Sequence, residues 1–160
     1  FNAALDSVSP SVAPKAAQRA RLAPLLSSEL LTLLARADAA RAAARAAAPG
    51  EKPPFTDGDL FSSLFEGPTA FVVGEPVPGA AAPGGRLGDL RVPVKLAHDA
   101  AAAAGGVAAT GGKPTEWTDT VVLREENGRF VVADIVFGGG WDFAHKGSLV
   151  AGLRAGLGER

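Results

Sequence analysis

The chain has no cysteine, no methionine and no tyrosine, and only two histidines and one isoleucine. Without cysteine there are no disulfides, no zinc–thiolate sites and no thiol nucleophile, and the redox compartment is left open. A metal site needs three or four ligands. His98 ends a strand beside Asp99, and His145 lies in a loop after Trp141. Neither stands at a ligand spacing from another histidine, so both read as surface residues, and no metal or other cofactor is expected. Lacking methionine, a chain that opens at Phe1 is expected to be trimmed; a removed signal peptide accounts for this, and so does an engineered boundary. Charge of one sign is also lacking. The net charge is −1, with 16 basic and 17 acidic residues. That leaves no basic excess to neutralise a phosphate backbone, so nucleic acid is excluded as an expected partner. No apolar run approaches the roughly 20 residues of a membrane span. The glycine runs fit neither a dinucleotide fingerprint nor a P-loop, and no Gly-x-Ser-x-Gly elbow occurs.

What is present suits one domain over residues 1–160, helical over about 1–66 and sheet-forming over about 67–160. The 47% hydrophobic content is dominated by alanine. The large apolar residues suffice for one core. Pro14 sits well at a helix start. Ser27 or Ser28 can cap a second helix carrying Leu30, Leu31, Leu33, Leu34 and Ala37, which Pro49-Gly50 stops. A short helix is expected over Leu60, Phe61, Leu64 and Phe65. Phe71, Val72 and Val73 begin a sheet, and a loop follows at 76–88. Leu90, Val92, Val94 and Leu96 alternate with polar or small residues at the strand period, and Pro93 places that strand at an edge or a bulge. Residues 99–115 read as a long loop, with a helix over the alanines at 100–104 as the alternative.

The firmest local signal is Asn127-Gly128 between two runs rich in Val, Thr, Phe and Trp. Both residues of a two-residue hairpin turn need positive φ, which Asn and Gly accept. A hairpin over 116–138 follows, with Glu126 opposite Arg129. Strict alternation then puts Asp134 opposite Val121, on one face with Asp119 and Trp117. Gly138, Gly139 and Gly140 let the chain cross the sheet end into Trp141-Asp142-Phe143. A last amphipathic helix holds Leu149, Val150, Leu153 and Leu157.

Helices followed by four strands and a long hairpin resemble the cone-shaped nuclear transport factor 2-like fold. Three stretches sharpen the likeness: Asp57-Gly58-Asp59-Leu60-Phe61 with Glu66-Gly67, Trp117-Thr118-Asp119-Thr120-Val121-Val122-Leu123, and Gly138-Gly139-Gly140-Trp141-Asp142-Phe143. These resemble an uncharacterised, often secreted bacterial family assigned to that superfamily. The resemblance covers roughly residues 20–157. It implies an α+β fold with N-terminal helices on a curved, mostly antiparallel four-stranded sheet, a pocket, and a periplasmic or secreted location. Catalytic members of the superfamily are expected to use Tyr, His or Asp deep in the pocket, and this chain offers no Tyr.

Paired carboxylates are the first chemical candidate. Two acids among apolar neighbours push one pKa upward and can divide into acid and base. Asp119 and Asp134 are the pair, with Lys95 or Arg91 completing an ion cluster. Trp117 and Trp141, with Phe137 and Phe143, are candidates for a pocket mouth. Ser62-Ser63 and Ser148 read as caps or exposed positions. The expected function is a non-catalytic extracytoplasmic module that binds a small apolar or mixed ligand, or a protein partner, with homodimer pairing open. The alternatives are an isomerase or hydrolase using the two Asp, and an inhibitor or immunity protein.

Overall fold

The computed structural model of the chain describes residues 16–79, 88–100 and 113–159. The expected helix start at Pro14, most of the 76–88 and 99–115 loops, and the alternative helix at 100–104 lie largely outside them.

Helix α1 spans Ala16–Leu22 and α2 spans Ser28–Ala47. Ser27 caps α2, its hydroxyl accepting the Leu30 N–H at 3.2 Å. Glu29 in the first turn and Arg45 in the last complement the helix dipole. Leu30, Leu33, Leu34 and Ala37 recur at helical spacing and are buried. Arg41 continues that buried stripe because its guanidinium bonds Asp38 at 2.5 Å. Asp38 also holds Arg19 of α1 at 2.7 Å, and that Arg19 hydrogen bond, reinforced by the charges of Arg19 and Arg41, holds its carboxyl below the usual value.

The sheet is antiparallel, ordered β1 (Ala70–Val73), β3 (Leu90–His98), β4 (Thr115–Glu126), β5 (Arg129–Val136). A two-residue strand, β2 (Val77–Pro78), joins β1 on the same flank of β3, so the sheet has five strands where four are expected. β3 is therefore interior, so of the two places that Pro93 allowed the edge is corrected, while the other is met by an irregularity: residues 74–76 stand opposite 92–93. The proline is accommodated where β3 changes partner. Val73 pairs with Val94, Gly74 N–H donates to the Pro93 carbonyl at 2.8 Å, and the next pairing on that flank is Val77 with Arg91. No ladder donor is needed from residue 93 on that side.

The hairpin turns at Asn127 (φ 54°) and Gly128 (φ 76°), and Glu126 pairs with Arg129 as the turn dictates. Alternation holds to Leu123 opposite Val132 and then breaks. Val122 pairs with Asp134, Val121 with Ile135 and Thr120 with Val136, so Ala133 is bulged out of the ladder. The bulge has a physical cause. Unbroken alternation would turn Val132, Asp134 and Val136 to the core. One extra residue turns Ile135 in instead, where it is 2% exposed, and spares the fold a buried carboxylate.

Helix α3 (Leu149–Gly156) is capped by Ser148, which accepts the Ala151 N–H at 3.3 Å. α2 and α3 pack on each other and on β5. Their core joins Leu22, Leu26, Leu30, Leu34, Val132, Ile135, Leu149 and Leu153. A second cluster of Leu64, Val94, Leu96 and Trp117 fills the other end of the same sheet face. β5's outer edge is covered: Ser27 N–H donates to the Val132 carbonyl and Val132 N–H to the Leu25 carbonyl, both at 2.8 Å, and Ser148 bridges to Val136. β1 is the opposite edge, and Phe71, Val72 and Val73 there are 41%, 67% and 59% exposed.

Residues 60–66 form turns, which corrects the expected short helix. Their backbone groups are engaged elsewhere. Asp59 Oδ1 accepts the Phe61 N–H at 2.8 Å, Asp59 N–H donates to the Phe65 carbonyl at 2.7 Å, and Ser63 N–H donates to a strand carboxylate described next. Among the described residues, no helix is long and apolar enough to cross a membrane.

Candidate functional site

Asp119 is the centre of the molecule's polar interior, 2% exposed on β4 opposite Val94. Its Oδ2 accepts the Ser63 N–H at 2.9 Å and the Trp117 indole N–H at 3.0 Å. Its Oδ1 accepts the Ser63 hydroxyl and the Gly138 N–H, the latter at 2.9 Å. Ser63 Oγ in turn accepts the Gly139 N–H at 2.9 Å. One carboxylate thus ties together a strand, the 57–67 loop and the glycine run after β5. Burying a carboxylate is costly unless each oxygen is hydrogen-bonded, and here both are.

The glycines make that junction sterically feasible. A Cβ on Gly138 would stand 2.0 Å from the Thr118 carbonyl oxygen, and one on Gly139 would stand 2.7 Å from Ser63 Cβ and 2.8 Å from the Trp141 ring. Beyond them, Lys146 Nζ donates to the carbonyls of Gly139, at 3.1 Å, and Trp141. Trp141 meets Trp117 edge to face at 5.8 Å, and Phe143, 61% exposed, stacks on its far side at 6.1 Å.

Beside this junction lies a cavity of about 200 Å³, lined by Phe55, Asp57, Leu60, Phe137, His145, Leu149, Gly152 and Leu153. His145 forms part of its wall. The ring lies between Phe65, edge-on at 4.3 Å, and Phe137, stacked at 5.3 Å, while its backbone N–H donates to the Ser63 carbonyl at 3.0 Å. Burial pushes the imidazole below its usual value, against a backbone hydrogen bond to Asp59 and the charges of Asp119 and Asp57. Its Nε2 is buried without a hydrogen-bond partner. Next to it, burial pushes the Asp59 carboxyl up to about 6; its bond to the Phe61 N–H opposes this and the Asp119 charge adds to it.

Of the residues singled out from the sequence, Asp119, Trp117 and Trp141 do come together. The others do not join them. Asp134 sits opposite Val122, three positions from Asp119 on β4 and therefore on the other face. Its Oδ1 accepts the N–H groups of Ile135 at 2.8 Å and Val150 at 2.9 Å, so it serves the N-terminus of α3. Arg91 pairs with Val122 and Lys95 with Thr118, again the face away from Asp119. Lys95 bonds Glu116 at 3.0 Å, and both are largely exposed. The carboxylate pair and its ion cluster are corrected on these grounds: the Ala133 bulge rotates one member out. Phe137 also leaves the tryptophan group and stacks on His145.

Sequence reasoning missed Ser63, Ser62, Asp59 and the buried half of His145. Ser62 and Ser63 are 1% and 0% exposed, which overturns their reading as caps or exposed positions. The available signal was two small polar residues between Phe61 and Leu64, in a loop bounded by Gly58 and Gly67. His98, also read as a surface residue, is half-buried, and its Nδ1 meets the Gly67 carbonyl at 2.7 Å. Among the described residues, no group of three His, Cys, Asp or Glu is placed to hold a metal ion.

Comparison with known protein families, with curated proteins and with solved structures finds no match for this chain.

Proposed function

We propose that this protein is a non-catalytic small-ligand-binding module, built on a cone of the nuclear transport factor 2-like kind and working in the periplasm or outside the cell. The cone reading is supported by helices laid over one end of an antiparallel sheet that ends in a long hairpin. Two of the three sequence stretches that carry the resemblance meet at Asp119, and the loop between the two halves of the other reaches it through Ser63. The location rests on the resemblance alone.

The observation that carries the functional reading is the state of Asp119. With four hydrogen bonds on its two oxygens and 2% exposure, it has no lone pair directed at a substrate. The strongest catalytic candidate is thereby a brace, and Asp134 is on the other face. The neighbouring cavity keeps His145, whose Nε2 is buried without a hydrogen-bond partner and whose imidazole is held below its usual value by burial. What remains is a mostly apolar concavity with few polar groups, the usual form of a binding site.

Native mass spectrometry of the purified chain tests the reading. A retained small molecule that is lost when Gly152 is replaced by leucine supports it. Catalytic turnover abolished by Asp119→Asn in a variant that still folds overturns it.

Pairing of two copies is a second reading. The observation in its favour is the β1 edge, whose Phe71, Val72 and Val73 are exposed while the β5 edge is covered. Light scattering decides it: a dimer converted to a monomer by Val72→Lys is the supporting result, and a monomer at high concentration removes it.

A further inference from the structure

We propose that the cavity between the 55–60 segment and α3 takes a small organic ammonium, a single ring or an aliphatic body of that size carrying one protonated amine. This deepens the binding-module reading and rests on it.

Size sets the first limit. An apolar cavity of about 150 Å³ is filled by benzene. The present 200 Å³ therefore holds one ring with a short substituent. The walls set the second. Phe55 and Phe137 offer aromatic rings, and Leu60, Leu149 and Leu153 offer aliphatic surface. A cation is attracted to the face of an aromatic ring, by more as it is stripped of water.

Charge sets the third. Asp57 stands in the wall, and the charges of Asp57 and Asp119 both act on His145 beside the cavity. Asp59 adds a third carboxyl to the same neighbourhood. Against them stands Lys52, which bonds Asp57, but that pair is about two-thirds exposed on both sides. Exposed pairs of this kind hold weakly, so an arriving ammonium can share the Asp57 carboxylate. His145 contributes no positive charge while its ring is neutral. The positive end of α3 is already met, since Asp134 accepts the Val150 N–H and Ser148 the Ala151 N–H. Lys146, next to His145, is turned to the Gly139 and Trp141 carbonyls, so three carboxyls face two cations around the cavity and an anion of the same shape is disfavoured.

Three probes of one shape separate these ideas: benzylammonium, benzyl alcohol and benzoate, titrated into the full chain at pH 7 and low salt, with the His145 and Phe137 ring signals followed by NMR. Benzylammonium is expected to bind about tenfold more tightly than benzyl alcohol, with benzoate not binding. Asp57→Asn is expected to bring benzylammonium down to the level of the alcohol and leave the alcohol unchanged. Gly152→Leu, at a position where a Cβ meets nothing within 4 Å, fills the cavity and is expected to abolish both, with the fold checked by circular dichroism. If the alcohol matches benzylammonium, or benzoate binds best, the ammonium assignment is overturned and the binding reading stands. If none of the three binds, both fall.

Discussion

The half-buried Asp59 makes a pH-dependent prediction whose sign and size follow from its surroundings. Its carboxyl is pushed up to about 6, against an ordinary 3.8, chiefly by burial. The folded state therefore binds this proton more tightly than the unfolded chain does. Stability from this group is fully present below about pH 4 and is lost as pH rises through 6. Above that, the ionised carboxylate costs the fold about 3 kcal/mol, from 1.36 kcal/mol for each unit of pKa. Asp59→Asn removes the charge and keeps the shape. The amide oxygen can still accept the Phe61 N–H that Asp59 Oδ1 takes at 2.8 Å. Denaturant unfolding of both proteins, at half-unit steps from pH 4 to pH 8, isolates the contribution of Asp59 as a difference, because other titrations cancel. The variant is expected to be more stable by up to about 3 kcal/mol at pH 8, with the gap closing toward pH 4. A difference that stays flat across the range, or a variant less stable at pH 8, refutes the reasoning. The second outcome would mean that the Asp59 charge has a favourable partner.

Asp119→Asn puts an amide nitrogen where two donors already point, and is expected to cost about 3 kcal/mol or more in unfolding free energy, with loss of the Trp117 near-ultraviolet dichroism. Gly138→Ala drives a methyl to within 2.0 Å of the Thr118 carbonyl oxygen and is expected to unfold or severely destabilise the chain, whereas Gly140→Ala, with nothing within 4 Å, is expected to leave the melting temperature nearly unchanged; equal effects from the two would refute the close-approach argument. Gly152→Ala, inside α3 and also facing open space, is expected to stabilise by about 1 kcal/mol through helix propensity, read by thermal unfolding.

Much of the fold was legible because it is local. Ser27 caps α2 and Pro49-Gly50 follows its end, Asn127-Gly128 turns the hairpin, and Leu149 and Leu153 face inward, each fixed by the chemistry of residues a few positions apart. What stayed hidden is non-local. No residue around Ala133 announces a bulge. It arises because Ile135 competes with Asp134 for the core, and that contest is decided by the helices packed on β5. The edge alternative for Pro93 failed for the same kind of reason. Its missing N–H implies a gap in the ladder, but the gap lies between two short strands on an interior flank. The turn structure of 60–66 depends on a carboxylate 56 positions away in the chain.

The same distinction explains why half of the candidate site was found. Trp117-Thr118-Asp119 and the glycine run stood out as words, and they do meet. A buried carboxylate needs donors for both oxygens, and one strand cannot supply them. Trp117 gives one from two residues away, while Ser63 and Gly138 must come from loops that cross the sheet end. Those loops need glycine to approach so closely, which is why an Asp, a Trp and a Gly run mark one place. Their meeting accounts for the residue types as a structural joint. On the proposed reading, binding falls instead to the neighbouring wall of Phe55, Asp57, Phe137 and His145. Of these, Phe137 directly precedes Gly138 of the joint, and His145 is tied to it by its N–H bond to the Ser63 carbonyl. A perturbation of Asp119 should therefore reach the cavity through Ser63 and the loop it anchors, while a change in the cavity need not disturb Asp119. The Gly152→Leu variant, which fills the cavity, and Asp119→Asn, which removes an acceptor from the joint, test pocket and brace separately.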